Sequence, residues 1–220
     1  QIIEQIAFEA RHNEYVDKKS GVSARLTIAA YENAVSSAER RLLLLHEKTT
    51  QVWISDLQGI IPAITGKIEL VYEGEQEGPY EVAQNLLEKS IRSIFTTHFP
   101  NPENFKKKRN NKKSVEEKPI DNPYQPIIEW FDKGNSLELP LQITDKEKEL
   151  YFNQIDGLIN LINQYQKNAD YWEKYLYMEL VLHGLAAHSL ISKKLVNGEL
   201  QFRDLMGSMV NLSDFDDLDM

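Results

Sequence analysis

The chain of 220 residues contains no cysteine. This absence excludes a disulfide framework, a zinc finger with thiolate ligands and a thiol nucleophile. Long apolar runs are missing too: the most apolar stretch, residues 178–191, is too short to cross a bilayer and contains Glu179, His183 and His188. The first residues lack the basic start and small-residue cleavage site of a signal peptide. We therefore expect a cytoplasmic protein without membrane contact.

Negative charge is in excess, since 34 Asp and Glu side chains face 25 Lys and Arg side chains. Positive charge is concentrated in one cluster, which comprises Lys106, Lys107, Lys108, Arg109, Lys112 and Lys113. A basic run can attract nucleic acid, but only Phe105 accompanies this one as an aromatic residue, and such a run gives salt-sensitive contact without specificity. A solvated linker is the better interpretation, and we expect no nucleic-acid partner.

Apolar residues recur at three- and four-residue spacing along most of the chain, as in amphipathic helices. The pattern predicts an all-α fold of about seven helices. Two sequences have the form of a capping box, Ser55-Asp56-Leu57-Gln58 and Thr144-Asp145-Lys146-Glu147, and mark helix starts. The predicted helices cover residues 2–15, 24–47, 79–98, 145–165 and 170–194, with shorter ones beginning near residues 55, 123 and 202.

Composition divides the chain into two helical subdomains. Residues 101–122 contain few apolar side chains and hold the basic cluster, so they are predicted to form a flexible linker. The linker separates a helical subdomain over residues 1–100 from a second one over residues 123–220. The second subdomain ends in an acidic tail that contains Asp214, Asp216, Asp217 and Asp219.

The most informative stretch is Asp17-Lys18-Lys19-Ser20-Gly21-Val22-Ser23-Ala24-Arg25, a basic turn that leads into a long helix. Free N–H groups and the positive dipole end of a helix N-terminus favour an anion, and Arg25 would add a fork of donors. A cation is electrostatically unfavourable at this position, so an anion or carboxylate should accompany Arg25. The plainer interpretation is that Arg25 pairs with Glu32, Glu39 or solvent.

The same stretch, followed by the helix over residues 26–41, resembles the lid subdomain of AAA+ ATPases of the magnesium-chelatase group. The similarity continues through Ser55-Asp56-Leu57-Gln58 and Gly66-Lys67-Ile68-Glu69 and covers roughly residues 1–99. The resemblance implies that Arg25 is the sensor-2 arginine, which reaches the γ-phosphate of ATP in a neighbouring core domain. It further implies that Ser23 fixes the helix start and that Gly21 allows the tight turn.

The chain departs from this group because it has no Walker A loop. Six residues separate Gly59 from Gly66, where the loop needs four, and Ile68 stands in place of the Ser or Thr that binds magnesium. We therefore expect no ATP hydrolysis by these residues alone. The catalytic core, with ATP and Mg²⁺, would lie upstream of Gln1, and the resemblance implies a ring of subunits that remodels a protein client or assists metal insertion.

A second hypothesis is an all-helical interaction or adaptor module without a nucleotide role, with an apolar surface near residues 127–131. No metal site is expected, because Glu179 and His183 lie one helical turn apart but provide only two ligands, and zinc needs three or four. A buried histidine that packs in a helical core explains His183 more simply. The sequence thus leaves a lid and an adaptor as the two functional interpretations.

Overall fold

The computed structural model describes residues 1–20, 22–105 and 122–205. Within these ranges the chain forms nine α-helices, three strands and two short 3₁₀ turns, Ser55–Ile60 and Pro102–Phe105. The helices are α1 Ile2–His12, α2 Arg25–Leu44, α3 Ile61–Thr65, α4 Tyr72–Glu77, α5 Pro79–His98, α6 Gln125–Asp132, α7 Asp145–Asn153, α8 Leu158–Tyr165 and α9 Tyr171–Ala187. The strands are β1 Leu137–Pro140, β2 Ser192–Val196 and β3 Glu199–Arg203.

A small antiparallel sheet corrects the all-α prediction, because the fold is mostly helical, at 61%, but 9% of it is strand. The strand order is β1-β3-β2, and Leu137 lies opposite Phe202. Asn197 and Gly198 join β2 to β3 with φ values of 52° and 81°, as a tight hairpin turn requires. Phe202, which was predicted to lie in a short helix, is therefore in a strand: Leu200 and Phe202 alternate inward along β3. Leu205 is helical, and the rest of that predicted helix lies outside the described residues.

The long helices largely confirm the periodicity, although one predicted helix is divided and others, such as α1 and α9, end before their predicted last residue. α2 and α5 lie within or match their predicted ranges. The helix predicted over residues 145–165 is divided: α7 ends at Asn153, and α8 begins after Gly157, whose left-handed φ of 80° interrupts the helical path. α9 ends at Ala187, and the chain enters β2 at Ser192. Polar and glycine positions thus end helices that apolar spacing alone would extend.

One predicted capping box is confirmed and the other is wrong. Thr144 accepts a hydrogen bond from the Glu147 backbone, and the Glu147 carboxylate accepts one from the Thr144 backbone. Ser55 caps no α-helix, because residues 55–60 form a 3₁₀ turn with Ile54 as its N-cap residue. The Asp56 carboxylate instead accepts from the Trp53 backbone N–H at 2.8 Å.

The two predicted halves share one buried apolar cluster. α5 of the first half packs against α9 of the second, and the contact is close at Gly184: a Cβ there would lie 2.4 Å from the Phe95 ring. Most of the predicted linker and the whole acidic tail lie outside the described residues. The division into two subdomains therefore stays a prediction, while the described parts of both halves pack together.

Candidate functional site

The loop before α2 is anchored where it leaves α1. Val16 forms an isolated antiparallel bridge with Leu70, in which Asp17 N donates to Glu69 O at 2.8 Å. Gly74 in α4 packs against this point, since a Cβ at that residue would lie 2.5 Å from Tyr15 O. The bridge and this close contact fix the position of the chain just before its basic residues.

The basic residues of the loop face solvent. Lys18 and Lys19 are exposed, and Lys19 N donates to Asp17 Oδ1 at 2.8 Å, which closes an Asx turn. Gly21, to which the resemblance assigns the tight turn, lies outside the described residues. The loop therefore presents two cations from a turn that its own aspartate stabilises.

Ser23 acts at the start of α2, one residue earlier than a regular N-cap. Its Oγ accepts from Arg25 N at 3.2 Å, and its carbonyl accepts from Leu26 N at 3.0 Å. The residue in the N-cap position is Ala24, whose side chain cannot accept a hydrogen bond. Because Ser23 already occupies two of the first N–H groups, an incoming anion would depend more on the Arg25 side chain than on the helix end.

Arg25 is the first residue of α2 and is exposed. Its guanidinium forms no ion pair with any side chain of the described ranges, so neither Glu32 nor Glu39 is its partner there. The first turn of α2 contains no acidic residue. Arg25 is thus a cation at the positive end of a helix dipole, and an external anion would relieve that unfavourable placement.

A second polar arrangement, which the sequence analysis missed, is buried around Arg41 of α2. Its Nε and one terminal nitrogen donate to the two Asp56 oxygens at 3.2 and 3.0 Å, and the other terminal nitrogen contacts Asp145 Oδ1 at 3.0 Å. Asp145 also accepts from Trp53 Nε1 at 2.7 Å and from Thr50 Oγ1 at 3.1 Å. These bonds connect α2 to the N-terminus of α7.

Lys148 and Glu179 form the neighbouring ion pair, with 2.9 Å between Nζ and Oε1, and both are buried. Lys148 also donates to Ser55 Oγ at 2.8 Å, and the Glu179 carboxylate accepts from the backbone N–H groups of Ile54 and Ser55 at 2.8 and 3.2 Å. Lys148 Nζ lies 4.4 Å from the centre of the Trp53 ring. The pair fixes the loop before the first 3₁₀ turn to α7 and α9.

The pKa shifts of the two buried cations have opposite directions. Burial lowers the pKa of Lys148, and the attraction of Glu179 offsets only part of this effect. Burial also acts to lower the pKa of Arg41, but hydrogen bonding to Asp56, with the charges of Asp56 and Asp145, outweighs it and raises the pKa. No buried side-chain nitrogen or oxygen of either cluster lacks a hydrogen-bond partner, which is the arrangement of a structural network rather than of a reactive site.

An apolar groove of about 860 Å³ opens between α1, α2, α5 and α9. Ile28 and Tyr31 of α2 line it and are 59% and 64% exposed. Buried Trp53 and Leu57 form part of the same lining. The groove lies on α2, the helix that begins with Arg25. The adaptor hypothesis placed its apolar surface near residues 127–131 instead, but Ile127 is fully buried in the core and cannot contact a partner there.

The described residues contain no group of three or more Asp, Glu or His side chains that could hold a metal ion. Nor do the helices in the described ranges include one with the length and apolar character needed to span a bilayer. No protein-family model matches the chain, and no curated protein or solved structure is significantly similar to it.

Proposed function

We propose that this chain is the lid and accessory region of an AAA+ ATPase similar to magnesium chelatase, in which Arg25 contacts the terminal phosphate of ATP held by a core upstream of Gln1. The observation that carries the proposal is the exposed Arg25 guanidinium at the first residue of α2, without an ion pair to any described side chain. The resemblance of residues 1–99 to that group of ATPases supports the same assignment.

The residues present fit an anionic ligand. Arg25 provides planar donors suited to a phosphate, and Lys18 and Lys19 add positive charge from the same loop. Mg²⁺ would be held by the core together with ATP. A guanidinium at the terminal phosphate stabilises the charge that develops as the terminal bond breaks.

The position of Arg25 on α2 gives a way to convert nucleotide state into movement. α2 is 20 residues long and is buried along one side through Leu26, Ala30, Ala34 and Ala38. A phosphate contact at one end of such a helix is lost after hydrolysis, and this loss shifts the balance between two lid positions. In a ring of subunits, this lid movement would remodel a client protein or assist metal insertion.

The experiment is steady-state ATP turnover by the full-length gene product with Arg25→Ala. We expect a loss of at least about tenfold, since an arginine at a transferring phosphoryl group contributes several orders of magnitude in related enzymes. Arg25→Lys keeps the charge without the fork of donors, so its ATP turnover should lie between that of the unchanged protein and that of Arg25→Ala. Arg40→Ala is the matched control, because Arg40 is an exposed cation on the same helix.

Two results would contradict the proposal. One is turnover by Arg25→Ala equal to that of Arg40→Ala, with unchanged helix content by circular dichroism. The other is the absence of ATP hydrolysis by the full-length gene product. The second candidate, an interaction module without a nucleotide role, is favoured by the apolar groove beside α2 and would survive either result.

A further inference from the structure

The groove between α1, α2, α5 and α9 presents apolar side chains that a helical occupant could cover. Single exposed apolar residues are common on protein surfaces, but Ile28 and Tyr31 share one concave surface with the buried side chains of Trp53 and Leu57. The α2 part of the lining extends from Thr27 to Val35, which is about 12 Å of helix. This length matches two to three turns of a helix laid in the groove.

The charges at the groove have one sign. Glu4, Glu32 and Glu173 are among its lining residues, and the lining residues that the structure describes include no lysine or arginine. Glu32 and Glu173 form no ion pair within the described part of the chain. Burial lowers the pKa of His98, which also lines the groove, so His98 adds no positive charge at neutral pH.

We propose that this groove binds a basic amphipathic helix of a partner protein, with the apolar face of that helix on Ile28 and Tyr31 and its lysines or arginines at the three carboxylates. Apolar contact supplies the affinity, as in other helix-in-groove complexes, and the charges select the partner and raise the association rate. The inference is independent of the nucleotide role of Arg25, and it gives the second candidate function a class of partner.

Other occupants fit less well. The acidic tail of this chain would bring Asp214, Asp216 and Asp217 to a carboxylate rim, where like charges repel. The basic cluster at residues 106–113 has no apolar side chain to cover Ile28. A symmetric pair of copies joined through their grooves would place the same carboxylates of both copies in one interface.

The experiment measures binding of a labelled synthetic peptide by fluorescence anisotropy, using the whole chain. The probe carries leucine at positions i, i+3, i+4 and i+7 and lysine at its remaining positions. One control peptide has the same residues in scrambled order, and another has glutamate in place of every lysine. Light scattering on the chain alone tests for self-association.

Two pairs of exposed α2 variants locate the binding surface. Ile28→Asp in the groove is compared with Leu43→Asp, and Glu32→Lys is compared with Glu39→Lys; neither Leu43 nor Glu39 lines the groove. We expect Ile28→Asp to weaken binding of the lysine peptide more than about tenfold. Glu32→Lys should weaken it about three- to tenfold and strengthen binding of the glutamate peptide, while both control variants bind as the unchanged chain does.

Four results would overturn the inference. They are no binding of the lysine peptide, equal binding of the scrambled or glutamate peptide, equal effects of the groove variants and their controls, and self-association that Ile28→Asp abolishes. All four substituted residues are exposed, and circular dichroism of each variant checks that it stays folded. ATP turnover by Arg25→Ala bears only on the nucleotide role, so failure of one proposal is distinguishable from failure of the other.

Discussion

Replacement of Lys148 by methionine would leave the Glu179 carboxylate in the core without its cation. Both side chains are almost fully buried, at 1% and 0% exposure, so water cannot replace the lost partner without opening the structure. Methionine keeps most of the volume of the lysine stem and therefore isolates the loss of charge from the loss of packing. The variant Lys148→Met is thus a direct test of what the buried pair contributes.

The expected loss of stability is about 3 kcal/mol. Removal of one partner from a buried ion pair typically costs about 3–5 kcal/mol. The lower end applies here, because Glu179 keeps the backbone N–H donors of Ile54 and Ser55. For a chain of this length the melting temperature should fall by about 6–12 °C. Since whole domains are stable by only about 5–15 kcal/mol, the effect is large enough to measure without ambiguity.

The assay is urea unfolding followed by tryptophan fluorescence, with Trp53 close to the substituted ammonium. Lys146→Met is the matched control, because Lys146 lies on the same helix and is exposed. The double variant Lys148→Met with Glu179→Gln removes both charges and should recover at least half of the loss, since the uncompensated carboxylate causes most of it.

Two outcomes would refute this reasoning. A loss below about 1 kcal/mol for Lys148→Met, equal to that of Lys146→Met, would mean that the carboxylate is not held in a low-dielectric environment. A double variant that is no more stable than Lys148→Met would mean that packing, and not the unpaired charge, determines the cost. The slope of free energy against urea must stay unchanged for either comparison to hold.

Two further predictions concern α9. Burial, followed by the charges of Lys193 and Lys148, lowers the pKa of His183 well below 6.5, so the folded state excludes a proton that the unfolded state takes up. The free energy of unfolding should therefore decrease as the pH is lowered below about 6.5, by up to about 1.4 kcal/mol per pH unit. Urea titrations between about pH 6.5 and 5 should show a smaller dependence on pH for His183→Asn. An unchanged dependence in this variant would contradict the prediction. Gly184→Ala should cost about 1–3 kcal/mol in thermal unfolding because its methyl group would meet the Phe95 ring, and a cost near zero would show that α5 and α9 can separate freely.

Sequence patterns within a short stretch of chain predicted the elements that depend mainly on neighbouring residues. α2 and α5 follow from apolar spacing, and Thr144 with Glu147 forms the capping box that its sequence predicts. The hairpin between β2 and β3 was also predictable, because Asn197-Gly198 is a strong turn sequence between two short runs with apolar residues. The apolar residues around Phe202 also fit helical spacing, and a five-residue strand has too few positions to distinguish the helical period of about 3.6 from the strand period of about 2.

The buried ionic clusters depend on contacts that no local pattern records. Lys148 lies in a run of alternating charges that is typical of a solvated helix face, yet it is buried. Glu179 gave the better indication, since a carboxylate on a helix that is apolar on nearly every side must find a partner in the core. The identity of that partner follows only from tertiary packing. The position of Arg25, in contrast, was predictable because a helix N-terminus is a local feature.

The hydrogen bond from Ile54 to Glu179 also sets an order of events during synthesis. The two residues are 125 positions apart in the chain. At about 5–20 residues per second, a ribosome needs roughly 6–25 seconds to add that length. Throughout this interval the backbone N–H groups of Ile54 and Ser55 can be satisfied only by water or by temporary partners. The segment that joins α2 to the first 3₁₀ turn therefore reaches its final conformation only after α9 has been translated, although it is made early.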